Sequence, residues 1–153
     1  MVQATEYRPM AHSEITTATN AAGQGIRWIR RLVLMNLGLV ALQALSAGFF
    51  LSGYGRAVTI HAGVARALQL GALTQAVAAV VLWRRGRVPA WVARAGIGLL
   101  VIVFLQVGLG YTKRNWLHVP IGVGLFGGLI RQTSRLDSLR RRPERGRDDR
   151  LLE

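Results

Sequence analysis

The chain has 153 residues, of which 51% are hydrophobic, yet 20 Lys and Arg stand against 7 Asp and Glu, giving a formal net charge of +13. No carboxylate side chain lies between residues 15 and 136. This gap excludes paired-carboxylate hydrolysis, an Asp-anchored catalytic triad and proton transport through a membrane carboxylate. The absence of cysteine excludes disulfides, thiolate metal sites and thiol redox chemistry.

Residues 1–31 are predicted to form a flexible N-terminal tail on the cytoplasmic side. The first 25 residues are polar and rich in Thr and Ala, with little apolar periodicity. No cleavable signal peptide is predicted, because the first apolar run begins only at Leu32 and is long enough to span a membrane. We expect the first helix to be an anchor.

Four apolar segments follow, over approximately residues 32–51, 58–83, 91–110 and 116–130. A crossing requires about 20 apolar residues, so the first two segments are long enough and the others are weaker. The fourth is short and glycine-rich, and a re-entrant segment is its alternative. A soluble bundle is disfavoured because its helices would need charged outer faces. The prediction is an all-α integral membrane protein whose residues 32–130 form four transmembrane helices in an up-down-up-down bundle.

Residues 131–153 are predicted to be a basic cytoplasmic tail, flexible from residue 133 onward. Its Arg140–Arg142 cluster is interpreted as a determinant of membrane topology, and the alternative is that it binds anionic lipid. Nucleic-acid binding is not expected, because the tail has neither a folded basic face nor interleaved aromatic residues.

The basic residues also predict the orientation of the bundle. With Arg66 of the second segment set aside, the two tails and the middle connection carry 16 Lys and Arg, and the other two connections carry three. By the positive-inside rule both termini are cytoplasmic, in a multi-pass protein of the bacterial cytoplasmic membrane. Four tryptophans fall at the predicted span ends, as expected for interfacial residues: Trp28, Trp83, Trp91 and Trp116.

Two histidines lie within the spans at matching depths. His61 is near the start of the second segment and His118 is near the start of the fourth, and these two helices run in the same direction. They are diagonal neighbours in such a bundle, with axes about 12 to 14 Å apart. That spacing suits a flat metal macrocycle with one imidazole on each side, near the outer face. Separate interfacial histidines, bonded to water or to loop carbonyls, are the alternative.

Cationic residues near the same face would complement the anionic propionates of a haem, since Arg binds carboxylates bidentately. Arg66 lies five residues after His61, about 140° around the helix. It either contacts a propionate or a neighbouring helix, or extends its charge towards the membrane surface. The predicted cofactor-binding residues are Arg56, Arg66, Gln106, Lys113 and Arg114.

Glycines on the second, third and fourth segments allow close approach of a porphyrin or of another helix. Gly124 and Gly128 form a small-xxx-small pair of the type that associates membrane helices. Membrane lipid is an expected partner, and a second copy of the chain or a partner membrane subunit is a further possibility.

The runs Gln106–Gly110 and Leu117–Phe126 resemble the third and fourth helices of one four-helix half of the haem A synthases. The run Ile60–Gly63 is similar to the segment that carries the second-helix histidine in that family. The resemblance covers about residues 32–130 and implies haem ligation by His61 and His118. The family joins two such halves, however, and many members have Arg where this chain has Ala62. The acidic residue and cysteine pair of their first outer loop have no counterpart in residues 52–59.

The sequence therefore predicts a membrane protein that binds haem b through His61 and His118, in haem handling or one-electron transfer. Oxidation of a haem methyl group is not implied, because two axial histidines leave no open iron position for oxygen. A complete haem A synthase is not expected. The alternative is a cofactor-free membrane subunit or scaffold that assembles through its glycine-rich faces. A small multidrug transporter is disfavoured because such exporters rely on a membrane-embedded Glu.

Overall fold

The computed structural model describes residues 12–148, with side chains described for residues 20–140. All regular structure in this part of the chain is α-helical. The helices are α1 (His12–Leu51), α2 (Ala57–Arg84), α3 (Ala90–Tyr111) and α4 (Asn115–Asp148). At the three connections, the helix ends agree within one residue with the ends of the apolar segments. The connections have five, five and three residues, which makes consecutive helices antiparallel.

The four helices form a closed bundle. α1 packs against α2 and α4, and α3 packs against the same two helices. Within the described residues no backbone contact joins α1 to α3 or α2 to α4. The diagonal placement of α2 and α4 therefore agrees with the predicted order. We call the end formed by connections 52–56 and 112–114 the histidine end, and the opposite end, at connection 85–89, the basic end.

Each of the first three helices ends in the same kind of capping turn. Gly53 and Gly86 follow α1 and α2 with φ angles of 92° and 67°. In both turns the amide of the next residue donates to a carbonyl five residues earlier, which is the Schellman arrangement. Lys113 takes the corresponding position after α3 with a φ of 55°. A side-chain-bearing residue adopts this left-handed conformation at a cost of about 1 kcal/mol.

Three helices are long and apolar enough to cross a membrane, namely Asn20–Leu51 within α1, Ala57–Arg84 and Ala90–Tyr111. They expose large aliphatic side chains such as Leu70 and Val101, as expected where lipid is the solvent. α4 is long enough but not apolar enough, so the structure shows three candidate crossings where four were predicted. Its apolar stretch, residues 116–130, would measure about 22 Å as a helix, against a hydrocarbon core of about 30 Å.

α1 and α4 extend well beyond the predicted spans. Residues 12–31 and 131–148 are helical, where the sequence predicted a flexible tail over residues 1–31 and from residue 133 onward. The remaining parts of the predicted tails lie outside the described residues. The apolar runs did not predict these extensions of α1 and α4, because the residues that become buried between them come from both ends of the chain.

The extended parts of α1 and α4 stabilise each other. Ile29 and Leu136 are fully buried. Beside them Arg30 Nε donates to Asp137 Oδ1 at 2.6 Å and Arg30 Nη2 donates to Oδ2 at 3.4 Å. Asp137 is the one carboxylate in the sequence between residues 20 and 140, and a bidentate partner is the strongest kind that Arg can have.

A chain of three buried amides crosses the core on the basic side of the histidines. Asn36 Nδ2 donates to Gln75 Oε1 at 2.9 Å, and Gln75 Nε2 donates to Gln132 Oε1 at 3.3 Å. This amide chain joins α1, α2 and α4, and such bonds hold helices together where lipid supplies no hydrophobic driving force. Gly71 makes room for it, because a Cβ at that position would collide with Asn36 Oδ1.

Candidate functional site

His61 and His118 face each other across the diagonal of the bundle. His61 is the fifth residue of α2 and His118 is the fourth residue of α4, so both lie in the first turns of their helices at the histidine end. The ring centroids are 6.4 Å apart and the ring planes are inclined by 60°. The structure therefore brings together the two residues that the sequence placed at equal depth.

The His118 ring is held by the preceding helix. Its Nδ1 lies 3.0 Å from the backbone carbonyl oxygen of Gln106. Because a carbonyl can only accept, Nδ1 carries the proton, and Nε2 of the neutral ring keeps its lone pair. The Gln106 side chain returns the contact, since its Nε2 donates to the His118 carbonyl at 2.9 Å. Gln106 thus contacts His118, and its predicted role in binding a cofactor remains a prediction.

The His61 ring is held in the same way by α1. Its Nδ1 lies 3.2 Å from the Gln43 carbonyl oxygen and 3.1 Å from Ser46 Oγ. The Ser46 hydroxyl itself donates to the Gln43 carbonyl at 3.0 Å. The Gln43 side chain then donates from its Nε2 to His61 Nε2 at 3.1 Å. The two histidines therefore share a tautomer, with the lone pair on Nε2.

The site consequently consists of two similar halves. In each helical hairpin a glutamine near the end of the first helix offers its backbone carbonyl to the histidine near the start of the second. The side-chain oxygens of both glutamines, Gln43 Oε1 and Gln106 Oε1, are buried and have no hydrogen-bond partner within the described residues. Unsatisfied buried acceptors are uncommon, and here both occur beside the imidazoles.

The predicted cationic residues lie apart from this hydrogen-bonded cluster. Arg56, Lys113 and Arg114 occupy the connections at the histidine end, and all three are exposed. Arg66 is exposed on α2. No side-chain hydrogen bond or ion pair of these four residues occurs among residues 20–140. Their assignment as cofactor-binding residues therefore remains a prediction.

Two of the predicted glycines contribute directly to the cluster. A Cβ on Gly122 would lie 3.0 Å from Gln106 Nε2, and a Cβ on Gly110 would lie 3.6 Å from His118 Cε1. Glycine at position 122 lets the Gln106 amide approach the backbone, whereas a Cβ on Gly110 would make only an ordinary van der Waals contact with the imidazole. A Cβ on Gly63 or Gly108 would meet no atom within 4 Å, and both glycines are exposed on the bundle surface.

The sequence reasoning missed Ser46 and the roles of the two backbone carbonyls. A signal was present, because Gln43 and Gln106 precede the ends of their helices by eight and five residues. Each therefore lies at about the depth of the histidine that follows it. A Gln late in one helix followed by a His early in the next occurs twice in this chain, and this repetition indicated the two similar halves of the site.

The described part of the chain adds no cluster of metal ligands to the two imidazoles. No group of three or more His, Cys, Asp or Glu that could hold a metal ion occurs there. A metal at this site would thus have fewer than three ligands of these residue types.

Comparisons with known proteins give no further guide to this site. No family model matches the chain, and no curated protein or solved structure matches it significantly. The resemblance to haem A synthases remains a prediction from short motifs. The function must therefore be argued from the paired histidines themselves.

Proposed function

We propose that this protein binds haem b through His61 and His118 and acts in haem handling or one-electron transfer in the membrane. The observation that carries the proposal is the 6.4 Å separation of the two imidazole centroids. Two nitrogen–metal bonds of about 2 Å each would occupy about 4 Å of it. The remaining 6.4 − 4 = 2.4 Å corresponds to the distance from the ring centroid to the ligating nitrogen, counted once for each imidazole.

The hydrogen bonds on the far side of each ring support ligation. Metal-bound histidines donate their other N–H to a carbonyl or carboxylate, which fixes the tautomer and orients the ring. His61 and His118 have such partners in the carbonyls of Gln43 and Gln106. Both rings are therefore arranged with Nε2 as the ligand atom before any metal is bound.

One contact would have to change on ligation. The Gln43 amide donates to His61 Nε2, the nitrogen that iron would take. That bond is neutral and contributes about 1 kcal/mol, and the other end of the amide, Oε1, has no described partner to hold it. Movement of the Gln43 side chain is thus a small cost beside the formation of an iron–nitrogen bond.

The surroundings of the rings suit an anionic macrocycle. Gly63 and Gly108 are exposed on the bundle surface, and a Cβ on either would meet no atom within 4 Å. Three cationic residues stand in the two connections at this end, and Lys113 occupies its strained position where glycine would be the easier choice. Strained residues tend to persist at functional sites. We infer that Arg56, Lys113 and Arg114 bind the propionates, with Arg66 as a further cation on α2.

When held by His61 and His118, haem would supply one-electron redox chemistry at its iron. The chain's own residues would hold the rings, exclude water from the iron and neutralise the propionates. The hydrogen bonds from Nδ1 would tune the ligands.

We further infer that α4 is the fourth crossing and that both termini are cytoplasmic. α4 packs on α1 and α3 along the bundle, and it exposes apolar Val123 in its short apolar stretch. The basic residues lie 16 to 3 on the side of the termini. The bilayer accommodates a short crossing by local thinning, at fractions of a kcal/mol per Å.

A second candidate function is that of a cofactor-free membrane subunit or scaffold. Gly124, Gly127 and Gly128 of α4 are exposed, and a Cβ on any of them would meet no atom within 4 Å. Such a surface allows another membrane helix to approach closely. In this alternative the two histidines only complete the packing of the histidine end.

The proposal is tested by purifying the full chain in mild detergent from haem-replete cells. We expect a red protein whose dithionite-reduced spectrum has the sharp visible bands of low-spin haem. His61→Ala and His118→Ala should each abolish that spectrum, and the double variant should add nothing, because the two residues act on one iron. The remaining histidine, His12, is the matched control, and His12→Ala should leave the spectrum unchanged.

Two results would contradict this proposal. A protein that stays colourless after addition of haemin, while its helical circular dichroism is normal, would favour the scaffold. A spectrum that survives His118→Ala would show that the diagonal histidine pair is not the ligand set.

A further inference from the structure

A groove of approximately 370 Å³ lies between α3 and α4 at the basic end, away from the histidines. Its polar lining consists of Arg94, Arg131, Gln132 and Arg135, and Trp91 forms one wall. The Arg135 guanidinium lies over the Trp91 ring, with Cζ 5.6 Å from the centroid. Three arginines thus line one groove, and the guanidinium of Arg135 is held in position by an aromatic face.

The groove has an unsatisfied hydrogen-bond donor. Gln132 is only 7% exposed, and its Oε1 accepts the bond from Gln75 at the end of the amide chain. Its Nε2 is buried without a partner among the residues with described side chains. A buried donor without an acceptor costs free energy, and Gln132 is part of the groove lining.

Among the residues with described side chains, the cationic charge of the groove is not fully compensated. Asp137 is the one carboxylate in residues 20–140, and it binds Arg30 in a bidentate pair. One carboxylate cannot neutralise the three guanidinium groups of the groove. Guanidinium groups bind phosphate through paired N–H donors, which makes a phosphate group the matching anion.

The position of the groove indicates which phosphate compound fits. Trp91 is the second residue of the α3 span, and Arg131 directly follows the apolar stretch of α4, so the groove lies where headgroups meet hydrocarbon. Arg94 shares its helix face with Ile97 and Val101, at spacings of three and seven residues. Both are exposed. This face of α3 thus places the cation of Arg94 beside exposed apolar side chains, against which an acyl chain can pack.

We propose that this groove is a binding site for an anionic phospholipid, whose phosphate lies among Arg94, Arg131, Arg135 and the Gln132 amide and whose acyl chain follows Ile97 and Val101. The site is independent of the haem proposal, because it shares no residue with the histidine end. It also differs from general attraction of a basic tail to the membrane, since it has a defined cavity and a buried donor.

The test uses the full chain in mild detergent, with retained lipid counted by native mass spectrometry. The probe is dioleoyl phosphatidylglycerol, compared with dioleoyl phosphatidylcholine, and inorganic phosphate is the soluble competitor. The site variant is Arg94→Gln, Arg131→Gln and Arg135→Gln together. The matched control is Arg84→Gln, Arg85→Gln and Arg87→Gln, which removes the same charge at the same end of the bundle from residues outside the groove.

We expect one phosphatidylglycerol to be retained by the wild type and by the control, in preference to phosphatidylcholine. The site variant should bind it roughly a hundredfold more weakly, because each basic residue near an anionic surface contributes a factor of about five. If the site variant does not insert into the membrane, the single substitutions Arg131→Gln and Arg85→Gln give the same comparison.

Three outcomes would overturn the proposal. Equal weakening in the site variant and the control would show only general electrostatic attraction. Displacement of the lipid by millimolar inorganic phosphate would assign the groove to a soluble phosphate compound. Equal retention of phosphatidylcholine would remove the requirement for an anionic lipid.

Discussion

Gly71→Ala should destabilise the bundle by about 3 kcal/mol, although alanine is the better helix former. A Cβ on Gly71 would collide with Asn36 Oδ1 and lie 3.1 Å from Met35 Cε. Overpacking of this kind costs about 1 to 3 kcal/mol. Displacing Asn36 would also break its bond to Gln75 in a buried position, at about 1 to 3 kcal/mol. The gain in helix propensity, about 1 kcal/mol, offsets only part of this cost.

The measurement is equilibrium unfolding in mixed micelles, with increasing sodium dodecyl sulfate and helical circular dichroism as the signal. Gly38→Ala is the control, because it lies two residues after Asn36 on α1 and a Cβ there would meet no atom within 4 Å. It should be neutral or slightly stabilising. Equal stability of the Gly71→Ala and Gly38→Ala proteins would refute the close approach of α1 and α2 at this point.

A double-mutant cycle identifies the cause of the effect. In an Asn36→Ala background the colliding amide is absent, so Gly71→Ala should cost less than about 1 kcal/mol. The coupling between the two substitutions should then be roughly 2 kcal/mol, as found for residues in direct contact. Strict additivity would mean that Gly71 acts through something other than Asn36.

Two further predictions concern the ends of the bundle. Asp137→Asn should lower the free energy of unfolding by about 1 to 2 kcal/mol, between the values for exposed and buried charged pairs. Arg30→Gln should add little in that background, and full additivity in the same unfolding assay would contradict the ion pair. Reporters placed after residue 153 and near Arg85 should both be cytoplasmic, with one near Gly55 exterior. Opposite sides for the first two would show that α3 or α4 does not cross.

The helix ends at the connections could be predicted from the sequence, because each apolar run shows by itself where the chain leaves and re-enters water. Gly53 and Gly86 also mark two of those ends, since glycine favours the left-handed turn that terminates a helix. The outward extension of α1 and α4 could not be predicted in this way. Its evidence is divided between Ile29 and Leu136, which are apolar residues in basic surroundings at opposite ends of the chain.

The candidate site was predictable in its side chains but not in its hydrogen bonds. Equal depth on parallel helices identified His61 and His118, since helical rise relates sequence position to depth. Their main partners are backbone carbonyls, and every residue has one, so residue type gives no indication of which carbonyl is used. The groove between α3 and α4 was missed for a related reason. Arg94 and Arg131 looked like topology signals, and Gln132 fell within the predicted tail.

The ion pair between Arg30 and Asp137 also has a consequence for the order of events during synthesis. The two residues are 107 positions apart, so ribosomes adding about 5 to 20 residues per second need about 5 to 20 s to reach the second after the first. Until then Arg30 has no carboxylate nearby along the chain, and the buried surface around Ile29 has no α4 to cover it. Until α4 is synthesised the four-helix bundle therefore cannot close, because α4 supplies the contacts to both α1 and α3.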